Sequence, residues 1–190
     1  MRRLSCIIAL TFLALLTACT NSHRVNYVQS REISAHKRFV AVLPLVNLTS
    51  HPFAGRIVGD ILSSELYAAT SFTFMERTAM AEKIKGKDDD LEYVMDKAVA
   101  QRLGRELGVD TVVYGSVTEY RYKLGIDQDP VVGINLRLLD VGSGKVLWAS
   151  SMSKTGGCWF ICEDSLNRLA QDVCESMVKK MAGELDGQKS

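Results

Sequence analysis

Among residues able to do covalent chemistry, Cys19 has the most informative setting. It closes the string Leu16-Thr17-Ala18-Cys19, behind a basic start at Arg2 and Arg3 and an apolar run from Cys6 to Leu16 broken only by Thr11. A basic start, a short apolar stretch and small residues before a cut make a secretory signal, and this run is too short to span a bilayer as a stable helix. The L-T-A-C string matches the bacterial lipobox. In that motif the thiol takes a diacylglycerol, cleavage makes Cys19 the first residue of the mature chain, and its amine is acylated. A covalent N-acyl diacylglycerol on Cys19 is therefore expected, and no dissociable cofactor. Each buried methylene favours membrane attachment by about 0.8 kcal/mol, so two or three chains hold the protein durably. Thr20 stands where an inner-membrane retention signal would place Asp, which favours the periplasmic face of the outer membrane.

The other mature thiols are Cys158, Cys162 and Cys174. An oxidising compartment permits a disulfide, and an odd count leaves at least one thiol unpaired. Zinc would need a fourth ligand, and His23, His36 and His51 lie far upstream, so no metal site is expected. A Ser-His-Asp arrangement on His51 has no supporting motif. Gly115-Ser116-Val117-Thr118-Glu119 sits in a strand pattern and lacks the glycine spacing and following helix of a phosphate loop. Removing Arg2 and Arg3 with the signal leaves 21 basic against 22 acidic residues, net −1. That balance excludes a global electrostatic case for nucleic acid. Binding or assembly is expected in place of catalysis.

The segment Gly156 to Cys162, G-G-C-W-F-I-C, stands out because connections normally run polar over the surface. Trp159, Phe160 and Ile161 either tuck under the sheet as a core plug or form an exposed tip that enters a bilayer or a partner. Trp suits the interfacial layer, with an apolar ring body and one N–H for headgroups. A Cys158–Cys162 disulfide would staple such a tip.

The elements that must position these groups follow from periodicity. Residues 1–18 read as the signal peptide, 19–37 as lipidated Cys and polar tether, 38–186 as one domain, and 187–190 as a polar tail. Arg38 to Leu45, ended by a Pro, reads as a buried strand. Ala54 to Ala69 has helical spacing, Phe72 to Met75 is a brief strand, and Arg77 to Ile84 a short helix. Asp88 to Asp90 lead into a helix from Leu91 to Leu107 stopped by Gly108. Thr111 to Leu124 alternates, with Tyr114, Thr118, Tyr120, Tyr122 and Leu124 on one face. Val131 to Leu139 alternates with Val132, Ile134, Leu136 and Leu138 together, and a V-G-S-G-K turn joins it to Val146–Ala149 as a hairpin. A last helix from Asp164 to Leu185 carries a core stripe at Leu166, Leu169, Ala170, Val173, Met177, Val178 and Met181, with Cys174 beside it as a buried thiol. The order β-α-β-α-α-β-β-β-α, with helices on one face of a mixed sheet, predicts an α+β sandwich.

Val40 to Leu45 with Asn47, and the helix after Ala54-Gly55, resemble the core of the CsgG/LpoB-like group of outer-membrane lipoproteins. Within that group, Tyr114 to Asp127, Pro130 to Leu139 and the S-G-K-V-L-W-A-S-S segment are similar to the PelC-type polysaccharide-export lipoproteins. The resemblance implies a non-enzymatic homo-oligomer: a large ring, a dodecamer being one admitted size, under an export β-barrel (PelB-like) in the outer membrane. It implies guidance of a cationic amino-sugar exopolysaccharide for biofilm matrix by acidic surface, with Glu119, Asp127 and Asp129 as the acids in the matched segment. It also implies a membrane-entering Trp before the last helix, for which Trp159 is the match, in a loop here longer and enriched in Cys and Phe. Glu119 shares a face with Arg121 and Lys123 and reads equally as a paired surface charge. Asp127 and Asp129 flank a turn, where turn chemistry is the plainer role.

Three other readings compete. An LpoB-like activator of peptidoglycan synthesis would need a long tether, whereas residues 19–37 span at most roughly 70 Å. A CsgG-like channel would need membrane strands of about nine to eleven residues beyond the core, for which there is no spare length. The last is a hydrolase without a local motif.

Overall fold

The computed structural model describes residues 38–85, 96–124, 128–157 and 165–186. The strands are β1 (Phe39–Val42), β2 (Val46–Asn47), β3 (Thr73–Phe74), β4 (Thr111–Tyr122), β5 (Pro130–Asp140) and β6 (Val146–Thr155). The helices are α1 (Ala54–Ala69), α2 (Arg77–Ile84), α3 (Lys97–Leu107) and α4 (Leu166–Asp186). They form one mixed sheet in the order β3-β1-β4-β5-β6, with β2 also on β4. β1 runs parallel to β3 and β4, while β4, β5 and β6 are antiparallel neighbours. The architecture is the expected α+β sandwich.

β2 is an addition to the expected order. Pro44 lacks the N–H that a continuous ladder requires, so pairing pauses after Leu43 donates to the Val113 carbonyl at 2.9 Å and resumes where Val46 faces Ser116. The chain then turns into α1 at Gly55, where a Cβ would stand 2.4 Å from the Leu45 carbonyl oxygen. Only glycine allows that approach.

Helices cover both faces of the sheet, which corrects the single-face expectation. On one face, Val58, Leu62 and Leu66 of α1 and Leu169, Val173 and Met177 of α4 close over Val113, Ile134, Leu138 and Trp148. On the other, Met80 and Ile84 of α2 and Leu103 and Leu107 of α3 pack on Val112, Tyr114 and Leu139. β4 is buried on both sides through most of its length, so its apolar residues run consecutively and hide the second face from an alternation test.

A second correction concerns the β4 tyrosines. The β4–β5 register shifts between Val117 and Glu119. The extra residue, Thr118, inverts the alternation beyond it. Tyr114 consequently packs on the α2–α3 side and Tyr120 on the α1–α4 side. The expected α4 stripe and the shared face of Val132, Ile134, Leu136 and Leu138 are present. Cys174 is fully buried within that core, and burial pushes its thiol up to about 12, so it stays protonated and inert.

Local chemistry sets the remaining boundaries. α3 starts at Lys97 behind Asp96, whose carboxylate accepts from Ala98 N–H at 2.6 Å and Val99 N–H at 3.4 Å. The predicted lead-in from Leu91 lies outside the described residues. α3 stops at Gly108, left-handed at φ 73°. Arg38 ties the domain's start to the far end of β5 by donating to Asp140 at 3.0 Å and to Thr111 at 3.1 Å. Burial alone would raise the Asp140 pKa, but bonds from the Ser143 N–H and hydroxyl and from Arg38 outweigh it and hold the carboxyl below its usual range.

Candidate membrane-facing end and acidic positions

Strand direction gathers several chain segments at one end of the sheet. Tyr122 of β4 faces Pro130 of β5, Val131 faces Thr155 of β6, and Gly156 N–H donates to the Pro130 carbonyl at 2.8 Å. The parallel strands β1 and β2 deliver the turn before α1 to this same end, where Leu48 N–H donates to the Val117 carbonyl at 2.9 Å. α4 begins there too. Four of the five large exposed hydrophobic side chains among the described residues lie in the half of the molecule toward which β4 runs: Leu48 beside Val117, Phe53 in the turn after it, and Tyr122 and Leu124 at the strand's tip, the last fully exposed. Single exposed apolar residues are ordinary, and it is their placement in one half of the molecule that makes this end a candidate contact surface.

The turn that carries Leu48 and Phe53 is rigidly organised. Asn47 Nδ2 donates to the His51 carbonyl at 2.7 Å, and its Oδ1 accepts from Thr49 N–H at 3.0 Å and the Thr49 hydroxyl at 2.8 Å. This is Asx-turn chemistry on a strand end. The His51 ring packs edge-on against Tyr120, with centroids 5.0 Å apart. Tyr120 donates its hydroxyl to Asn167 Oδ1 in a short contact that joins β4 to the first turn of α4. Burial, and then the neighbouring Tyr122, raise the Tyr120 phenol above its ordinary value, which keeps it a donor. Arg56 lies over the Phe53 ring, 4.9 Å from its centroid. Sequence reasoning missed Leu48 and Phe53, although they satisfy the criterion that singled out Trp159: large apolar side chains in a polar connection.

The structure brings Glu119 and Asp129 to this end and gives each a cation. Glu119 lies 3.8 Å from Arg121, and Asp129 lies 4.0 Å from Lys123 while its carbonyl accepts from Lys123 N–H at 2.8 Å. Both pairs are solvent-exposed and contribute little to stability. The Asp129 carboxylate also sits beside Gly157, the last described residue before the Trp159 segment. Cys19, Asp127, Cys158, Trp159, Phe160, Ile161 and Cys162 lie outside the described residues. Gly157 and Ser165, which bracket that segment, are both at the apolar end. Among the described residues, no group of three His, Cys, Asp or Glu could hold a metal, and no helix is long and apolar enough to cross a membrane.

A mixed sheet covered on both faces, behind an N-terminal lipobox, defines a class: envelope lipoproteins of the LpoB/PelC-like fold. Residues 14–153 match the model of the peptidoglycan-synthase activator LpoB, and the chain belongs to that family. Among solved structures, it is similar to the PelC dodecamer from Paraburkholderia phytofirmans, at 23% identity and a TM-score of 0.57, over 82% of this chain and 96% of that one. The L103M form of that dodecamer gives 25% identity and a TM-score of 0.56, over 86% and 98%. Lipoprotein GNA1162 from Neisseria meningitidis gives 22% and 0.55, over 78% and 98%. No curated protein matches significantly.

Proposed function

We propose that this chain is a non-enzymatic, ring-forming lipoprotein of the outer membrane's periplasmic face, which guides a cationic exopolysaccharide into an export β-barrel. The observation that carries the reading is the single apolar end of the sheet, with Leu48, Phe53, Tyr122 and Leu124 exposed around the anchors of the Trp159 segment. A rigid apolar end edged by Arg56 and by the Glu119–Arg121 and Asp129–Lys123 pairs suits the interfacial layer of a bilayer. The lipid on Cys19 would attach each copy, and this end, with Trp159, Phe160 and Ile161, would set its tilt. A Cys158–Cys162 disulfide would hold that segment in shape. The likeness to PelC dodecamers, which extends over nearly all of that chain, supports assembly of copies into a ring. Glu119, Asp127 and Asp129 would then recur around it, and repetition gives weak, salt-screened acids a useful collective pull on a polycation.

Replacing Trp159 and Phe160 together with Ser tests the orientation. Co-sedimentation of the non-lipidated domain with phosphatidylglycerol-containing vesicles should fall about tenfold or more, as expected for withdrawing two large apolar side chains from lipid. Unchanged binding would return those residues to the core.

A second reading is favoured by the family match itself: activation of a peptidoglycan synthase. Addition of the mature protein to a synthase assay separates the two. The ring reading expects no change in glycan polymerisation, and a severalfold rise would favour the activator.

A further inference from the structure

A cleft of about 260 Å³ opens at the β3 edge of the sheet, between α1 and the start of α2. α1 presents Asp60, Ser64 and Tyr67 to it, at the i, i+4, i+7 spacing of one helical face. β3 supplies Phe74, and the turn into α2 supplies Glu76 and Arg77. The rings of Tyr67 and Phe74 stand 4.5 Å apart, tilted by 51°, and Phe72 meets Phe74 edge-on at 6.1 Å. Tyr67 is half-exposed, the one large exposed hydrophobic side chain among the described residues outside the apolar end.

The charges are arranged unequally. Arg77 is paired with Asp60, whereas the Glu76 carboxylate has no cation partner among the described residues. Glu76 lies close enough to Tyr67 that, after burial, its charge is the next cause raising that phenol. The Ser63 and Ser64 hydroxyls donate to the Gly59 and Asp60 carbonyls at 2.7 and 3.1 Å, which leaves their oxygens free to accept. An aromatic face, an unpaired carboxylate and acceptor-only oxygens are what a primary ammonium on a flat, C–H-rich ring requires. A neutral sugar would make no use of the Glu76 charge. An anion would meet two carboxylates.

We propose that this cleft binds one pyranose unit carrying a free ammonium, with the ring face on Tyr67 and the ammonium between Glu76 and the aromatic pair. The assignment deepens the reading of the chain as a guide for a cationic glycan, and rests on it. On a ring of copies the clefts would form a series of amino-sugar stations.

Calorimetric titration of the mature protein with a glucosamine hexamer, its fully N-acetylated form and cellohexaose tests it. The free-amine oligomer should bind at least about tenfold more tightly than the other two, and less tightly as salt rises. Tyr67→Ala and Glu76→Gln should each weaken it about tenfold, while Tyr67→Phe, which keeps the ring, should bind like the parent. These side chains are exposed, so an unchanged melting temperature will show that the fold is intact. Equal binding of amine and acetamide oligomers, or binding indifferent to Tyr67→Ala and Glu76→Gln, would overturn the cleft. If amine binding is lost instead in Asp129→Asn, the guiding role stands and only the cleft falls. If no oligomer binds to a protein that remains a closed ring, the cleft likewise falls without the ring.

Discussion

A Cys19→Ser chain whose residues 1–18 are exchanged for a signal sequence cleaved without lipidation is expected to leave the membrane fraction and appear as soluble periplasmic protein. Two or three acyl chains, each methylene contributing about 0.8 kcal/mol, make attachment effectively permanent, whereas a single apolar contact is marginal and reversible. No described helix could replace them as a membrane span. The apolar end should then act only as an orienting contact, too weak to retain the unlipidated domain in washed membranes. Fractionation with immunoblotting, and the intact mass of the mature N-terminus, read the outcome directly. Full retention of that signal-exchanged chain in washed membranes would place the anchor elsewhere.

The second large effect concerns Trp148. It is buried on β6 opposite Leu138, at the centre of the core closed by α1 and α4. Trp148→Ala should cost about 3–5 kcal/mol, from lost burial plus the cavity left behind. Its indole N–H is buried without a hydrogen-bond partner. Trp148→Phe should therefore cost much less, about 1–2 kcal/mol, because removing an unsatisfied donor offsets part of the lost packing. Urea unfolding monitored by far-UV circular dichroism measures both. A loss for Trp148→Phe of about 3 kcal/mol or more would mean that the N–H makes a bond in the native protein. The chain has two tryptophans, so Trp148→Phe also leaves Trp159 as the sole indole. Its emission should shift to the blue when vesicles are added.

The fold was legible wherever local chemistry agreed with burial. α1 and α2 begin and end where helical spacing and the surrounding loop residues put them, and Gly108 stops α3 as its backbone freedom suggests. The failures share one cause, the tertiary packing of β4. Buried on both faces through most of its length, it packs its apolar residues against helices on either side, and the alternation read over Thr111–Leu124 could not announce the second layer. The bulge at Thr118 has no sequence mark beyond a register that breaks, yet it reverses the side on which Tyr120 stands. Site legibility followed the same division. The lipobox and the Trp159 segment are contiguous strings and could be seen. Leu48 and Phe53 gain meaning only because parallel β1 and β2 carry them to the end where β4, β6 and α4 meet. The Tyr67 cleft joins α1 to β3 and α2, segments that no contiguous string brings together.

Glu119 and Asp129 also gain context from the structure. Each is matched by a neighbouring cation in a single copy, so their pull on a polymer would depend on how copies place them together. Assembly is thus the claim on which the guiding role depends. Native mass spectrometry of the lipidated mature protein, released from detergent micelles, tests it most directly. One closed multiple of the protomer mass, constant across protein concentration, is expected. A monomer at every concentration would contradict it.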